Sequence, residues 1–475
     1  MWEIEKEKAL PIYVSIMKDI LKKIEEGVLL SGTKLPPERQ LAKFIGVNRS
    51  TVVHALEELE AMGVVERIQG SGTVIKATIV EKNSLNRTNW HHYLEQNLFH
   101  KSSPFLEEMN YVKRTNKGAL DFYSGKLPSD LVPQLEIPQM TLQEILSVDK
   151  EEIQGYLPLR ETIIHQLEKI MGTSISPQEL LLTTGAEQAL FLISQVLLNS
   201  GESIAVERPS FLYSLPIFQA LGIRLYGVSM DEEGICLEEL EQTIRKHHVK
   251  MVLLNPTFQN PTGKTMSVKR REAVLALCRN YRVPIVEDDV YRNFSFVSQE
   301  TIPPLKKLDS ENVLYIGSLS KVFGSTMKIG WLYAPAKVCE QLGEARKVMD
   351  FSLGIFPQLM IHTMLTNPTY EQKFEELVQN IKSRSERMEE LFQAFPEWRV
   401  VKSQGGGYLW AEWQGEKITS EKWRSFLALG LLVAPGFLYG SKKDAIRLNA
   451  VKLTQENERA FVDKLRRVTE QIKKL

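Results

Sequence analysis

The chain has 475 residues, 43% of them hydrophobic and 25% charged, and its 59 Lys and Arg balance 59 Asp and Glu. At ~150 residues per unit the length suggests about three domain-sized units, and the composition is that of a soluble globular protein. A formal net charge of zero excludes a global field for nucleic acid or membrane, so such a partner must be met by a local patch. Cys236, Cys278 and Cys339 are odd in number, far apart and without CxxC spacing. They argue against a disulfide framework or zinc site and for a reducing compartment. The start, Met1-Trp-Glu-Ile-Glu-Lys-Glu-Lys, lacks the apolar core of a signal peptide. No uninterrupted apolar run is long enough to span a bilayer. The expectation is a cytoplasmic protein with no membrane partner and no metal site.

From Pro11 the positions Tyr13, Ile16, Met17, Ile20 and Ile24 recur at helical spacing, with Gly27 as a stop. After Leu35-Pro-Pro37 a shorter helix carries Leu41, Ala42 and Phe44. The turn Ile45-Gly-Val-Asn48 leads into a third helix near Ser50, with core positions Val52, Ala55, Leu56, Leu59 and Met62 and a C-terminal Gly63. Two helices joined by a short Gly-containing turn form a helix-turn-helix pattern. The exposed start of the third helix offers Arg49, Ser50, Thr51 and His54, residue types that meet phosphates and base edges where a recognition helix enters the major groove. Val64–Gln69 and Thr73–Ile75 alternate around Gly70-Ser71-Gly72, a hairpin that forms a wing. Lys34, Arg39, Lys43, Arg49 and Arg67 fall on the turns, helix starts and wing, and local sign is what attracts phosphate.

Residues 77–117 show a weak pattern that includes Trp90, His91, His92, Tyr93 and Phe99, and read as a linker. If flexible, such a segment spans on the order of 35 Å. Beyond Leu120, strand-like runs alternate with helical periods, the signature of an α/β sheet. The strands are expected at Leu180–Thr183, Ser203–Val206, Ile223–Tyr226, Met251–Leu254, Pro284–Val286, Val313–Ile316 and Ile329–Tyr333. In such folds ligands sit at the C-terminal strand ends. The first such end is Thr183-Thr-Gly185-Ala186-Glu187, where free helix-start amides suit a phosphate. Glu207-Arg-Pro-Ser-Phe211 supplies an aromatic face, and the rigid loop Asn255-Pro-Thr-Phe-Gln-Asn260-Pro-Thr-Gly263 holds the Asn260 amide. Asp288 and Tyr291 set a carboxylate and a phenol three residues apart. Gly317-Ser318-Leu-Ser320-Lys321 delivers a lysine through small hydroxyl residues, and desolvation of a lysine makes it a Schiff-base nucleophile.

The first 75 residues resemble the winged-helix DNA-binding domain of the GntR family. The likeness rests on Leu35-Pro-Pro-Glu-Arg39, Val47-Asn-Arg-Ser-Thr-Val52, Ala55-Leu56 and Gly70-Ser-Gly72-Thr73. Asn48 stands where that family has Ser and is expected to keep the helix cap. From Asp121 onward the chain resembles fold-type I, aspartate-aminotransferase-like enzymes. That likeness rests on Asp121-Phe-Tyr-Ser-Gly125, Gly155-Tyr-Leu-Pro-Leu-Arg160, Gln259-Asn-Pro-Thr-Gly263, Gly405-Gly-Gly-Tyr408 and Ile446-Arg447-Leu-Asn. The resemblance implies pyridoxal 5'-phosphate held on Lys321 as an internal aldimine, with Asp288 on the ring nitrogen, Tyr291 and Asn260 on the ring oxygen, and Phe211 stacked. It further implies a phosphate cradle of Ala186, Glu187, Ser318, Ser320 and Lys328, and Arg447 as a fork for an amino-acid carboxylate. Two departures stand out: Ser325-Thr-Met-Lys328 replaces Pro-Gly-Leu-Arg, and Lys150 falls where a tyrosine reaching the partner's phosphate is expected.

The order of the two halves resembles the MocR-type transcriptional regulators. The implied division is a winged helix-turn-helix over 1–76, a linker over 77–117, and an α/β aminotransferase-like unit over 118–475 whose large part runs from about 155 to 355. The resemblance also implies a head-to-tail homodimer, a double-stranded DNA operator, and an effector that is an amine, an amino acid or a pyridoxal compound. DNA contacts are expected from Lys34, Arg39, Arg49, Ser50, Thr51, His54, Arg67, Gly70 and Ser71. A working aminotransferase that also binds DNA is the alternative, since Lys321, Asp288 and Arg447 are all present.

Overall fold

The computed structural model describes residues 11–25, 28–29, 32–68, 72–76, 103–136, 140–148, 152–297, 302–324, 327–349 and 353–474. Gly27, Gly70, Ser71, Lys150, Ser325, Thr326 and the aromatic and histidine residues expected over 90–100 lie outside them. The chain divides into two compact units, Met1–Ser102 and Ser103–Leu475.

In the first unit, helices α1 (Ile12–Glu25), α2 (Glu38–Ile45) and α3 (Arg49–Ala61) precede the antiparallel pair β1 (Val65–Ile68) and β2 (Gly72–Ile75). Ile16, Ile20 and Ile24 of α1 close on Leu41, Val52, Leu56 and Leu59 to make one apolar core. Burial of these side chains, each worth about 1.5–3 kcal/mol, fixes the helix faces that the periodicity announced. The turn between α2 and α3 needs Gly46, whose φ is +70°. Phe44 and Met62 depart from the expected core: they are 58% and 54% exposed. Ile45 takes the inward place on α2, and Met62 sits past the last turn of α3, as its C-cap.

The second unit starts earlier than the expected boundary at 118. Helix α4 (Pro104–Thr115), with proline in its first turn, buries Met109 against Leu427 and Leu432. Residues 103–117 therefore belong to this unit, because an amphipathic helix with an apolar stripe needs a surface to cover. Its large sheet has seven strands: β3 (Leu180–Thr183), β4 (Ser203–Arg208), β5 (Arg224–Ser229), β6 (Met251–Leu254), β7 (Ile285–Asp288), β8 (Val313–Ser318) and β9 (Gly330–Tyr333). Their spatial order is β3-β9-β8-β7-β6-β4-β5, with β9 antiparallel to both of its neighbours. The strands are near-continuous apolar runs because both faces are covered. A second, antiparallel sheet orders β10 (Trp398–Val401), β11 (Tyr408–Trp413), β12 (Ala434–Pro435) and β13 (Ala445–Asn449) as β10-β11-β13-β12. Among the described residues no helix is long and apolar enough to cross a membrane.

Candidate cofactor and DNA sites

Four strand ends of the large sheet converge with one face of the small sheet. Asp288 ends β7 and is 5% exposed. Its carboxylate accepts one long hydrogen bond, 3.4 Å from the Val290 amide. Burial, reinforced by the Asp289 and Glu187 charges and opposed by Lys321, pushes its pKa up to about 7. Lys321 lies three residues beyond the end of β8, with Nζ donating to the Gly125 carbonyl at 3.2 Å and 5.5 Å from the Tyr291 ring centroid.

Asn255 ties these ends together. Its Nδ2 donates to the Asp288 carbonyl at 2.6 Å and its Oδ1 accepts the Asn260 amide at 2.6 Å. Its own amide donates to the buried Glu207 carboxylate at 3.0 Å. The Asn260 carbonyl in turn accepts the Phe211 amide at 3.1 Å, so the aromatic face and the loop amide are fixed as one block. Beneath them Arg271 donates to the Pro256 carbonyl at 2.8 Å and the Thr257 hydroxyl at 3.0 Å, and faces Glu287 at 3.5 Å.

On β13, Arg447 and Asn449 share a face, and Tyr408 of β11 pairs with Asn449. That register brings Tyr408 against Arg447, whose guanidinium lies 4.3 Å from the Tyr408 ring centroid and 5.1 Å from that of Tyr439. Arg447 Nη1 donates to Asn260 Oδ1 at 3.0 Å and Nη2 to the Tyr123 carbonyl at 2.6 Å, while its buried Nε has no partner. The Tyr291 hydroxyl donates to that of Tyr408 at 3.2 Å. Burial pushes the Tyr408 phenol up, but the Lys321 and Arg447 cations outweigh it and bring the pKa down to about 8.

At the opposite end, Gly185 precedes helix α5 (Ala186–Leu197) with φ +90°. A Cβ there would stand 3.6 Å from Ser320 Oγ, so the hydroxyl faces the helix start whose free amides suit an anion. Gly330 packs so tightly here that a Cβ would fall 2.7 Å from the Gly185 carbonyl carbon. Ser318 differs from expectation: its hydroxyl donates to the Ile329 carbonyl and accepts the Ser320 amide, both at 3.2 Å. It orients Ser320 before it can serve a ligand. Lys328 and Glu187 are both exposed.

In the winged helix, Asn48 occupies the N-cap of α3, but its side chain makes no cap hydrogen bond. Arg39, Arg49, Ser50 and Lys34 are exposed, and Thr51 is half-buried. Arg49 is held by Glu38, with Nε and Nη2 at 3.1 and 2.9 Å from the same oxygen. His54 is packed against Tyr13, ring centroids 4.4 Å apart. Arg67 departs furthest from a free DNA contact. It donates to the Val53 carbonyl at 3.2 Å and faces Glu38, Glu57 and Glu60 at 3.8, 3.8 and 3.6 Å, which makes it a staple between wing and α3.

Comparison with known proteins agrees with this geometry in both units. Residues 128–465 match aminotransferase class I and II, and residues 12–75 match the bacterial regulatory proteins of the gntR family. The chain belongs to the MocR-type regulators. It is 35% identical over 459 residues to the uncharacterized HTH-type transcriptional regulator YdfD of Bacillus subtilis, covering 94% of each chain. It is 27% identical over 446 residues to the HTH-type transcriptional regulator NorG of Staphylococcus aureus (strain USA300), covering 89% of this chain and 96% of NorG. Among solved structures, the multiple substrate aminotransferase of Thermococcus profundus superposes with a TM-score of 0.71 at 25% identity, over 82% of this chain and 100% of that one. The kynurenine aminotransferase of Pyrococcus horikoshii gives 0.69 at 25% identity, over 83% and 99%. This MocR-type regulator is thus a DNA-binding transcriptional regulator with an aminotransferase-like unit.

Sequence reading assigned no role to Tyr408, Tyr439, Tyr123 or Asn255. Tyr408 carried a signal, since it ends the Gly405-Gly-Gly-Tyr408 run, but what it touches is set by strands far apart in the chain.

Proposed function

We propose that this regulator holds pyridoxal 5'-phosphate on Lys321 and uses it to sense a primary amine, an amino acid or a pyridoxal compound, with operator binding as the output. The observation that supports this most is Asp288, a buried carboxylate at a strand end that bonds no cation of its own. Such a group is stabilised by a cationic ring nitrogen, which restores the charged form that burial disfavours. Phe211 would stack on the ring, and Asn260 and Tyr291 would hydrogen-bond its oxygen. The Ala186 and Glu187 amides, the Ser320 hydroxyl that Ser318 orients, and Lys328 would take the phosphate. When bound, the group supplies an aldehyde carbon that exchanges between primary amines. Lys321 offers the anchoring amine and Arg447 offers its guanidinium to a ligand carboxylate, with Asn260 fixing its angle.

DNA is met by Lys34, Arg39, Arg49, Ser50 and Thr51 around the start of α3, in a head-to-tail homodimer. An effector alters DNA binding only through different affinity for two conformations of that dimer. The purified protein is expected to show visible absorbance that borohydride removes and that Lys321→Ala lacks. A Lys321→Ala protein whose DNA binding responds normally to effector would overturn the mechanism. Transamination is the second reading, favoured by the gathering of Lys321, Asp288 and Arg447 at one site. Steady keto-acid production from an amino acid would decide for it.

A further inference from the structure

The Tyr408 hydroxyl and the Lys321 amine converge on one backbone position. A Cβ built on Gly125 would fall 2.3 Å from the Tyr408 hydroxyl and 3.4 Å from Lys321 Nζ. The hydroxyl thus fills the space that a side chain at 125 would take, beside the carbonyl that accepts Lys321 Nζ at 3.2 Å. Both groups line one cavity of about 30 Å³, which has room for a water. A proton can pass between them directly or through that one water.

The charged and titratable groups around this phenol are Lys321, Arg447 and Lys452, with the phenols of Tyr291, Tyr439 and Tyr123. The bond between the two buried phenols at the cavity has a direction. Tyr291 donates to Tyr408 at 3.2 Å. Burial and the Tyr408 oxygen raise Tyr291 well above the ordinary phenol range, so Tyr291 keeps its proton. Tyr408 instead lies 4.3 Å from the Arg447 guanidinium, measured to its ring centroid, and beside Lys321. Cations there favour its phenolate. Neighbouring groups whose surroundings push them apart in this way divide into one that holds a proton and one that takes it.

Resting on the reading that Lys321 is the amine that anchors the cofactor, we infer that Tyr408 is the proton partner of Lys321. Its oxygen takes the proton that Lys321 must shed before the nitrogen can attack an aldehyde carbon, and returns it when another amine displaces Lys321. An N–H bond breaks and an O–H bond forms, so ammonium and phenolate become amine and phenol with no change in net charge.

The test is a pH titration of the full-length protein, followed first by ultraviolet tyrosinate absorbance. The second readout is the rate at which visible absorbance develops on mixing with pyridoxal 5'-phosphate. One phenol is expected to ionise near pH 8. Lys321→Met, which removes the ammonium, should move that step up toward the ordinary value of about 10. In the wild type the rate should climb through the pH of the phenol step. Tyr408→Phe, which keeps the ring beside Arg447, should lose both step and climb, with the rate near neutral pH down by about tenfold or more. A wild-type protein without the step, a step that Lys321→Met leaves in place, or a Tyr408→Phe rate lowered equally at every pH would each overturn the inference. The ultraviolet step needs no cofactor. If it answers to Lys321 in a protein that never develops visible absorbance, the proton sharing stands and the cofactor reading falls.

Discussion

The two units treat arginine in opposite ways. In the winged helix, Arg49 and Arg67 meet Glu38, Glu57 and Glu60 at the surface, with Arg49 55% and Arg67 32% exposed. In the aminotransferase-like unit, Arg271 and Glu287 face each other at 0% exposure, and Arg292 is paired with the equally buried Asp289. Surface pairs contribute little and are screened by salt, so a DNA phosphate can take Arg49 from Glu38 at small cost. Buried pairs cannot be exchanged, because losing one partner strands the other without water. They serve geometry, and Arg271 props the loop that carries Asn260.

The largest expected effect separates the two kinds of pair. Arg271→Ala should destabilise the second unit by about 3–5 kcal/mol, read from its denaturant or thermal transition. A loss below ~1 kcal/mol would mean that the buried pair behaves as a surface one. Next comes pH. Burial, opposed by the Asn255 and Gln259 hydrogen bonds and the Arg271 charge, raises Glu207 to about 7. A carboxylate raised on folding binds its proton more tightly in the native state, so stability falls as pH climbs from the ordinary carboxylate range through about 7. Thermal stability measured from pH 5 to 8 should therefore decline. Glu207→Gln, which can keep an acceptor oxygen toward Asn255 and Gln259, should flatten part of that slope.

Smaller effects belong to the winged helix. Arg67→Ala removes the staple between wing and α3 and should cost about 1–2 kcal/mol locally. Faster hydrogen exchange of the β1 and β2 amides in the full-length protein would show it, and unchanged exchange would return Arg67 to the DNA face. Arg49→Ala should leave those amides alone and lower the salt slope of binding to a random-sequence duplex by about one. An unaltered slope would remove Arg49 from the phosphate contacts.

Hydrophobic period, helix stops and glycine turns are local properties, and they placed α1 to α3, the wing and all seven strands of the large sheet within a few residues. They also placed Lys321, Asp288, Asn260 and Gly185 at strand ends, because a strand that stops in a polar or glycine residue can be read one segment at a time. Side-chain partnership is not local. Arg447 reaches Asn260 across 187 residues and Tyr123 across 324, so no window of sequence contains the clamp. Ser318 and Arg67 looked like ligand contacts because their residue types suit phosphate. Folding gave both to internal partners, since a buried or half-buried donor is stabilised by the acceptor nearest to it.

The sequence by itself determined the two units, their order, and the lysine at the end of β8, since each rests on patterns spanning a few turns or strands. Only the tertiary structure decided that Tyr408 stands between Lys321 and Arg447 and that Phe44 and Met62 face outward. Those outcomes depend on which distant surfaces meet, and close packing permits one arrangement of side chains where periodicity permits several.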